Sequence, residues 1–315
     1  MMTLRPVFIA LAPLLLGAAA PPGGLDWAYP GPGETVPDTA RHHLPGSPRH
    51  FTGAALDDMD HAPDWYPRDH PRAPRVVLNH KGGACGYCHL ATGAGRTENA
   101  QLRGQPVEYI EEQVHAFASD ARGSAGRADP TSYMIAAARA VSAADLRAAA
   151  RYFAALDPVR HARVVEAATI PQAVAQDYQY RFVPGTHEPL GRRIIEGAID
   201  PRAHALRDPR ERVIAYVPVG SIARGRTLAL HGAGAVPACA SCHTAHFIGI
   251  GGSSPTFIVR QLAAFRSHAR NDPGAAPMQT VAATLTDDQI IDLAAYVGSR
   301  PAWTRAQMHA AMNEE

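Results

Sequence analysis

The 315-residue sequence predicts an all-α protein with two similar helical domains, a proline-rich N-terminal extension and an irregular segment between the domains. Three observations lead to this prediction. The motif Cys-x-x-Cys-His occurs twice, at 85–89 and at 239–243. A helical pattern that follows the first copy recurs after the second, offset by 148 residues from Tyr109 to Phe257. Proline is dense before residue 74, which excludes long helices and central strands there.

Residues 1–20 have the pattern of an export signal. Arg5 supplies a positive charge, Val7 to Leu16 are apolar, and Gly17 to Ala20 are small residues suited to cleavage. The apolar run is too short to span a bilayer comfortably, and an uncleaved membrane anchor is the alternative. We expect an exported protein with no integral membrane segment after cleavage of the signal.

Residues 21–73 form the predicted extension, which is rich in proline, glycine, histidine and aspartate. Because proline fixes the backbone and removes a hydrogen-bond donor, this segment is expected to wrap the surface in extended pieces. Trp27, Trp65 and Tyr66 are expected to hold it in place by burying aromatic area.

The two Cys-x-x-Cys-His motifs are the attachment signature of haem c, in which the cysteines bind the haem and the histidine becomes an iron ligand. One such motif could instead be a redox dithiol or half of a zinc site. Two copies that use all 4 cysteines favour two covalently bound haem c groups. Haem c is attached outside the cytoplasm, so the expected location is the bacterial periplasm. The predicted attachment residues and proximal iron ligands are Cys85, Cys88, His89, Cys239, Cys242 and His243.

Two predicted domains, 74–157 and 217–301, share a helix after the motif. One face of this helix carries apolar residues and one glutamine in each copy, at positions that match helical spacing. Each glutamine is expected either to form a hydrogen bond to a haem propionate or a loop carbonyl, or to bond to the backbone of its own helix. The sequence favours neither role over the other. The residues of the two faces are Ile110, Gln113 and Phe117, and Ile258, Gln261 and Phe265.

Each predicted domain continues with a loop that contains one methionine and leads to a capped helix. Met134 precedes Ser142 by eight residues, and Met278 precedes Thr286 by the same distance. Serine and threonine are favoured N-caps, and an acidic residue in the first turn complements the helix dipole. Both capped helices carry a tyrosine at the same distance from the methionine, namely Tyr152 and Tyr296.

The expected iron ligand pairs are His89 with Met134 and His243 with Met278. Methionine fills the sixth position of a haem and raises its potential, histidine lowers it, and an open position permits oxygen or peroxide chemistry. The remaining methionines lie in the signal, in the extension (Met59) or on the final amphipathic stretch, where packing is the usual role. The competing sixth ligands of the first haem are His80 and His115.

The segment 158–216 has mixed composition, and within it a helix is expected over Glu188–Ile199. The second domain begins with an additional helix from Ile222 to His231, which Ser221 caps and Gly232 ends. The first domain has no clear counterpart of this helix. Residues 302–315 form a C-terminal tail.

These residues resemble class I cytochromes c, in the two-domain arrangement of exported bacterial dihaem cytochromes. The resemblance covers about 74–157 and 217–301. It rests on both motifs, one methionine per repeat, the capped helices and the segments Gly95–Ala100, Val217–Gly225 and Ser254–Leu262. It implies two cytochrome c-like folds, haem c on the four cysteines, and histidine and methionine as axial ligands. The chain departs from many members in having no proline shortly after His89 or His243.

The resemblance implies an electron carrier and no catalytic residues. Single electrons are expected to pass between redox proteins, and one variant of this role is the electron acceptor of a periplasmic dehydrogenase. Two alternatives remain. A dihaem peroxidase needs one haem that can open its sixth position to peroxide. A sensor module needs one permanently open haem.

The composition limits the kinds of partner that are expected. Hydrophobic residues make up 46% and charged residues 19% of the chain, as in folded soluble proteins. A net charge of +1 gives no indication of a nucleic-acid partner. Six arginines in one stretch form either an ordinary solvated surface or a docking patch for an acidic redox partner. They are Arg192, Arg193, Arg202, Arg207, Arg210 and Arg212.

Overall fold

The computed structural model describes residues 24–33, 38–126, 131–176, 178–243, 249–304 and 306–307. The helices are α1 (Gly53–Leu56), α2 (Arg75–Leu78), α3 (Cys85–His89), α4 (Val107–Ala118), α5 (Thr131–Ala140), α6 (Ala143–Ala154), α7 (Pro201–Ala205), α8 (Ser221–His231), α9 (Ala240–His243), α10 (Pro255–Arg266), α11 (Ala276–Ala283) and α12 (Asp287–Ser299). The strands are β1 (Arg41–His43), β2 (His50–Thr52), β3 (Ala162–Glu166), β4 (Thr169–Ile170), β5 (Ala173–Gln176), β6 (Gln179–Phe182), β7 (Glu188–Pro189), β8 (Ile195–Ala198) and β9 (Val213–Val217).

The expected export signal lies outside the described residues, as does the tail from Met308 onward. Within the described ranges, no helix combines the length and the hydrophobicity that crossing a membrane requires.

The first helical region comprises α2 to α6 and carries the first motif on α3. Helix α4 packs against both α5 and α6, and α2 packs against α3 and α6. Its core contains Val77, Ile110, Ala150 and Phe153, of which Phe153 is 1% exposed. The short helix α2 occupies the place where sequence showed no clear helix before the first motif.

The second helical region comprises α8 to α12. Helix α8 runs along α12, and α10 packs against α11 and α12. Gly225 permits the close approach of α8 to α12, because a Cβ at this position would lie 1.9 Å from the backbone oxygen of Asp292. The predicted helix at the start of the second domain is confirmed as α8, but the prediction that Ser221 caps it is wrong. Ser221 is the first helical residue, and the cap is Gly220 in a left-handed conformation.

The predicted helix repeat is confirmed in detail. Helices α4 and α10 each have 12 residues, and both their ends differ by the offset found in the sequence. Two of the predicted caps, Ser142 and Thr286, are also present. Ser142 Oγ accepts a hydrogen bond from the Asp145 backbone N at 3.1 Å, and Thr286 forms a reciprocal capping box with Gln289.

The segment between the helical regions contains strands, which corrects the expectation of irregular structure. A three-stranded sheet has the order β3-β9-β8, with β9 parallel to β3 and antiparallel to β8. One side of this sheet joins the core of the second helical region through Ala162, Val213, Ala215 and Val217. The strands have two to five residues, too short for alternation to be read securely from sequence.

The expected helix over Glu188–Ile199 is wrong, because this stretch contains β7 and β8. The β-branched pair Ile194–Ile195 is fully buried, consistent with a strand enclosed on both sides. Among the described residues, strands occur in the extension and between the two helical regions, while the motif-bearing regions are helical.

Aromatic burial holds the extension in place, as predicted. Trp65 is fully buried and its Nε1 donates to the Leu206 oxygen at 2.7 Å. The Tyr66 hydroxyl donates to the Pro45 oxygen at 3.0 Å. Burying a large side chain contributes on the order of 2–3 kcal/mol, so the Trp65 contact fastens the extension to the interdomain segment.

A short backbone bridge joins the two helical regions. Arg122 and Arg270 face each other as an isolated antiparallel bridge. The Gly123 N donates to the Ala269 oxygen at 2.6 Å, and the Asn271 N donates to the Ala121 oxygen at 2.6 Å. Because Arg122 and Arg270 differ by the same offset as α4 and α10, the two regions meet with approximate two-fold symmetry.

Candidate haem-binding site

The first motif lies on α3, and its histidine is oriented by a backbone carbonyl. His89 Nδ1 lies 2.8 Å from the Ala100 oxygen. A hydrogen bond at Nδ1 fixes the tautomer in which Nε2 is free to bind a metal. Burial lowers the pKa of His89, which favours the neutral imidazole that binds metals. A backbone acceptor has no side-chain signature, so sequence could not identify Ala100.

The second motif begins at Cys239 and continues on α9. Cys242 is exposed, whereas Cys239 and His243 are partly buried. Burial lowers the pKa of His243 as well. The two motif histidines are therefore both held toward the neutral form that coordinates iron.

The cysteines do not resemble a reactive dithiol. All four are free of disulfides. Burial raises the pKa of Cys85 to about 12 and raises the pKa of Cys88 and Cys239. Redox dithiols have thiols with lowered pKa, so the local environment favours the attachment role over the dithiol alternative.

Both motifs open onto one cavity of about 1190 Å³. This is larger than the roughly 300–1,000 Å³ of pockets for drug-sized ligands. Seven of the eight predicted site residues line it; the exception is the exposed Cys242. Its apolar walls include Ile110, Phe117, Leu146, Phe153, Ile258, Leu262, Phe265, Leu293 and Val297.

Both predicted methionine ligands line this cavity. His80 and His115, the competing candidates, are not among the described lining residues, but Met59 of the extension is. The expectation of methionine loops is wrong, because Met134 lies within α5 and Met278 within α11. Alanine-rich sequence around both methionines has high helix propensity, which explains the short helices.

A buried polar cluster stands where the two helical regions meet beside the cavity. Gln113 Oε1 accepts from Arg122 Nη1 at 2.7 Å and from Arg270 Nη2 at 2.9 Å. Gln261 Oε1 accepts from Arg122 Nη2 at 2.9 Å and from Arg270 Nη1 at 3.1 Å. The glutamines, predicted to bond a propionate, a loop carbonyl or helix backbone, thus hold two guanidinium groups that sequence reasoning missed.

This cluster carries more positive than negative charge. Both guanidinium groups are about nine-tenths buried. Asp272 Oδ1 lies 3.4 Å from Arg270 Nε, which leaves one carboxylate for two cations at this point. Burial lowers the pKa of Arg122 to about 10, and the charge of Arg270 acts in the same direction. Buried cations require anionic partners. Both arginines line the cavity, so an anionic group bound in the cavity could pair with them.

The residues present therefore fit a haem. The apolar walls suit a large flat macrocycle, the oriented histidines suit its iron, and the paired arginines suit its carboxylate substituents. Bound there, haem c would supply an iron that gains and loses one electron.

The arginine-rich stretch does not form one exposed cationic patch. Arg207 is buried. Arg192 pairs with Asp288, and Arg193 pairs with Glu188 at 2.8 Å. Arg210 pairs with Asp69 at 2.7 Å. Ion pairing and burial thus use several of these charges within the molecule.

Comparison with known families identifies the second motif-bearing region. Residues 229–297 match the family model described as cytochrome C oxidase, cbb3-type, subunit III. The chain contains a cytochrome c domain. Members of the cytochrome c family bind haem c covalently, in agreement with the cavity and with the motif at 239–243.

A named relative shares more of the chain than the cytochrome c domain alone. The thiosulfate dehydrogenase electron acceptor of Thiomonas intermedia (strain K12) is 25% identical over 233 residues, which cover 70% of this chain and 80% of the relative.

Three solved structures are also similar to the chain. Thiosulfate dehydrogenase from Marichromatium purpuratum has 24% identity and a TM-score of 0.45, over 70% of this chain and 37% of that chain. Cytochrome c4 of Acidithiobacillus ferrooxidans has 21% identity and a TM-score of 0.44, over 68% and 98%. Reduced cytochrome c4 of Pseudomonas stutzeri has 20% identity and a TM-score of 0.41, over 69% and 93%.

Proposed function

We propose that the protein is a periplasmic dihaem c-type cytochrome that transfers single electrons between redox proteins and does not act as an enzyme. The observation that carries the proposal is the cavity lined by both motifs and by one methionine from each helix repeat, Met134 and Met278. Two closed His/Met sites support electron transfer, because neither leaves an iron position for a substrate. The export pattern of residues 1–20 supports the periplasmic location.

The electron donor is proposed to be a periplasmic dehydrogenase. The support is the similarity to a protein named thiosulfate dehydrogenase electron acceptor. A thiosulfate dehydrogenase is therefore the first donor to test. Reduction of this protein by such an enzyme with its substrate, monitored in the haem absorbance, is the expected result.

The test of the carrier role is a redox titration of the purified holoprotein with carbon monoxide binding as a second readout. We expect two haems per chain, two one-electron steps, and negligible binding of carbon monoxide to the reduced protein. Rapid carbon monoxide binding at either haem, or a high-spin haem with peroxide turnover in the half-reduced state, contradicts the proposal. The latter result would support the dihaem peroxidase alternative.

The paired arginines are proposed to bind the carboxylate substituents of both haems. Arg122→Gln is expected to lower both midpoint potentials by about 50 mV, since removing a buried cation favours the more positive ferric state. The size of this shift follows from two magnitudes. A change of about 59 mV in a one-electron potential corresponds to roughly 1.4 kcal/mol. Two charges at an effective dielectric of about 20 interact by up to about 4 kcal/mol, so a shift of about 50 mV lies within this range.

The matched control is Arg147→Gln. Arg147 belongs to α6, is 60% exposed at its side chain, and pairs with Glu111 at 3.1 Å. Spectroelectrochemistry of both variants measures the potentials. Unchanged potentials in Arg122→Gln, or equal shifts in the control, would remove the arginines from this role.

A further inference from the structure

The two motifs differ in what covers them. Tyr87, between the cysteines of the first motif, lies against Arg207 of the interdomain segment. The Arg207 guanidinium is 3.5 Å from the centre of the Tyr87 ring. Its Nη1 donates to the backbone oxygen of Tyr87 at 3.0 Å, and its Nε donates to the backbone oxygen of Leu56 at 2.7 Å. One buried arginine therefore joins the interdomain segment, the extension and the first motif.

The extension covers the same motif through its backbone. The Ala84 N donates to the Met59 oxygen at 2.8 Å. Asp60 Oδ1 accepts from the backbone N of Gly82 at 2.9 Å and of Gly83 at 3.1 Å. These hydrogen bonds hold the extension against the residues that lead into the first motif. A docking protein would have to displace the extension to reach the first motif.

The second motif has no comparable cover among the described residues. Ser241 and Cys242 are exposed. Ser241 Oγ donates to the Ala238 oxygen at 2.6 Å, within the turn of the motif itself. We call the described positions 232–243 and 249–253, which surround this motif, the uncharged face.

The uncharged face is named for its sequence. No aspartate, glutamate, lysine or arginine occurs between Arg226 and Arg260. The exposed positions of the face carry small or neutral side chains and are Ala233, Gly234, Ala235, Pro237, Ser241, Cys242 and Gly249. Because the residues of the face carry no charges of their own, they cannot steer a charged partner at long range, and docking on them is expected at the unsteered rate.

We propose that electrons enter and leave this protein through the uncharged face, by docking of a redox protein whose own contact surface is uncharged. The first motif then exchanges electrons only through the second. The inference rests on the proposed carrier function and adds its route and the chemistry of its partner. One electron passes at each encounter: the partner is oxidised as this protein is reduced, or the reverse, and no bond forms or breaks.

The test introduces a charged residue on the uncharged face and measures the rate of haem oxidation by two small oxidants, one anionic and one cationic. The reduced holoprotein is mixed in a stopped-flow instrument with anionic hexacyanoferrate(III) or cationic tris(phenanthroline)cobalt(III). Ser241→Lys is expected to accelerate oxidation by the anion several-fold and to slow oxidation by the cation, and Ser241→Glu should do the reverse. These differences should vanish between about 10 and 500 mM salt, as the Debye length falls from roughly 30 Å to a few ångströms.

The matched controls are Ser119→Lys and Ser119→Glu. Ser119 is also an exposed serine, but it follows α4 in the first helical region. Both pairs of variants are expected to retain the wild-type haem content, and the midpoint potentials of each variant are measured so that rates are compared at equal driving force. If all electrons leave through the uncharged face, the whole reaction amplitude responds to charge at Ser241 and none responds at Ser119.

Three results would overturn the inference. The first is an effect on only half of the amplitude in the Ser241 variants, which would give the first motif its own exit. The second is an equal effect of charge at Ser119. The third is a dimer in sedimentation that Ser241→Lys dissociates, because a second copy would then occupy the face. None of these results affects haem content or carbon monoxide binding, so failure of the carrier function itself is recognised separately.

Discussion

Replacing all four motif cysteines by alanine is expected to abolish cooperative folding. The two motifs border a cavity of about 1190 Å³. An enclosed empty cavity costs about 24 cal/mol per Å³, so this volume corresponds to at most roughly 29 kcal/mol without a prosthetic group. Half of that, about 14 kcal/mol, already lies at the upper end of the stability of typical domains, about 5–15 kcal/mol. The chain can close this space only by collapsing into another structure.

The measurement is thermal unfolding followed by circular dichroism, with hydrogen exchange as a second readout. The double variant Cys85→Ala/Cys88→Ala is expected to lose protection mainly in α4 to α6. The control Ser119→Ala changes an exposed residue and should unfold as the wild type does. A sharp transition near the wild-type temperature in the four-alanine variant would show that the folded state does not depend on covalent haem.

Met278→Ala and Met134→Ala are each expected to open the sixth position of one haem. The potential of that haem should fall by an amount on the order of 100 mV, because axial ligands alone set haem potentials over about 0.8 V. The reduced variant should bind carbon monoxide at that haem only. Substitution by histidine should close the position again but keep the potential low.

The matched control is Met59→Ala. Met59 also lines the cavity, so its removal tests packing without the predicted iron bond. Spectroelectrochemistry and carbon monoxide titration distinguish the two roles. If Met59→Ala opens the first haem and Met134→Ala leaves it closed, the predicted ligand of the first haem is wrong and the extension supplies it.

Sequence predicted the features that are local and repeated. The faces of α4 and α10 have helical periodicity, and Ser142 and Thr286 mark their helices through side-chain caps. Each of these signals lies within about ten residues of the structure that it predicts. The same locality made both cysteine motifs readable, because covalent attachment requires a fixed spacing.

The remaining features depend on residues far apart in the chain. Arg122 reaches Gln261 across 139 positions, and the strands β3 and β9 pair only after the chain returns past β8. Neither contact leaves a pattern in the sequence of one segment. The carbonyl of Ala100 is a third example, since every residue carries the same backbone acceptor.

The position of Arg207 has a consequence for the order of assembly. It lies 120 residues after the tyrosine that it covers, and contacts between such distant residues form late in folding. A chain that emerges N-terminus first presents Cys85 and Cys88 long before Arg207 arrives. The first motif is therefore open to covalent modification while the chain is still unfolded and becomes enclosed only when the interdomain segment has folded over it.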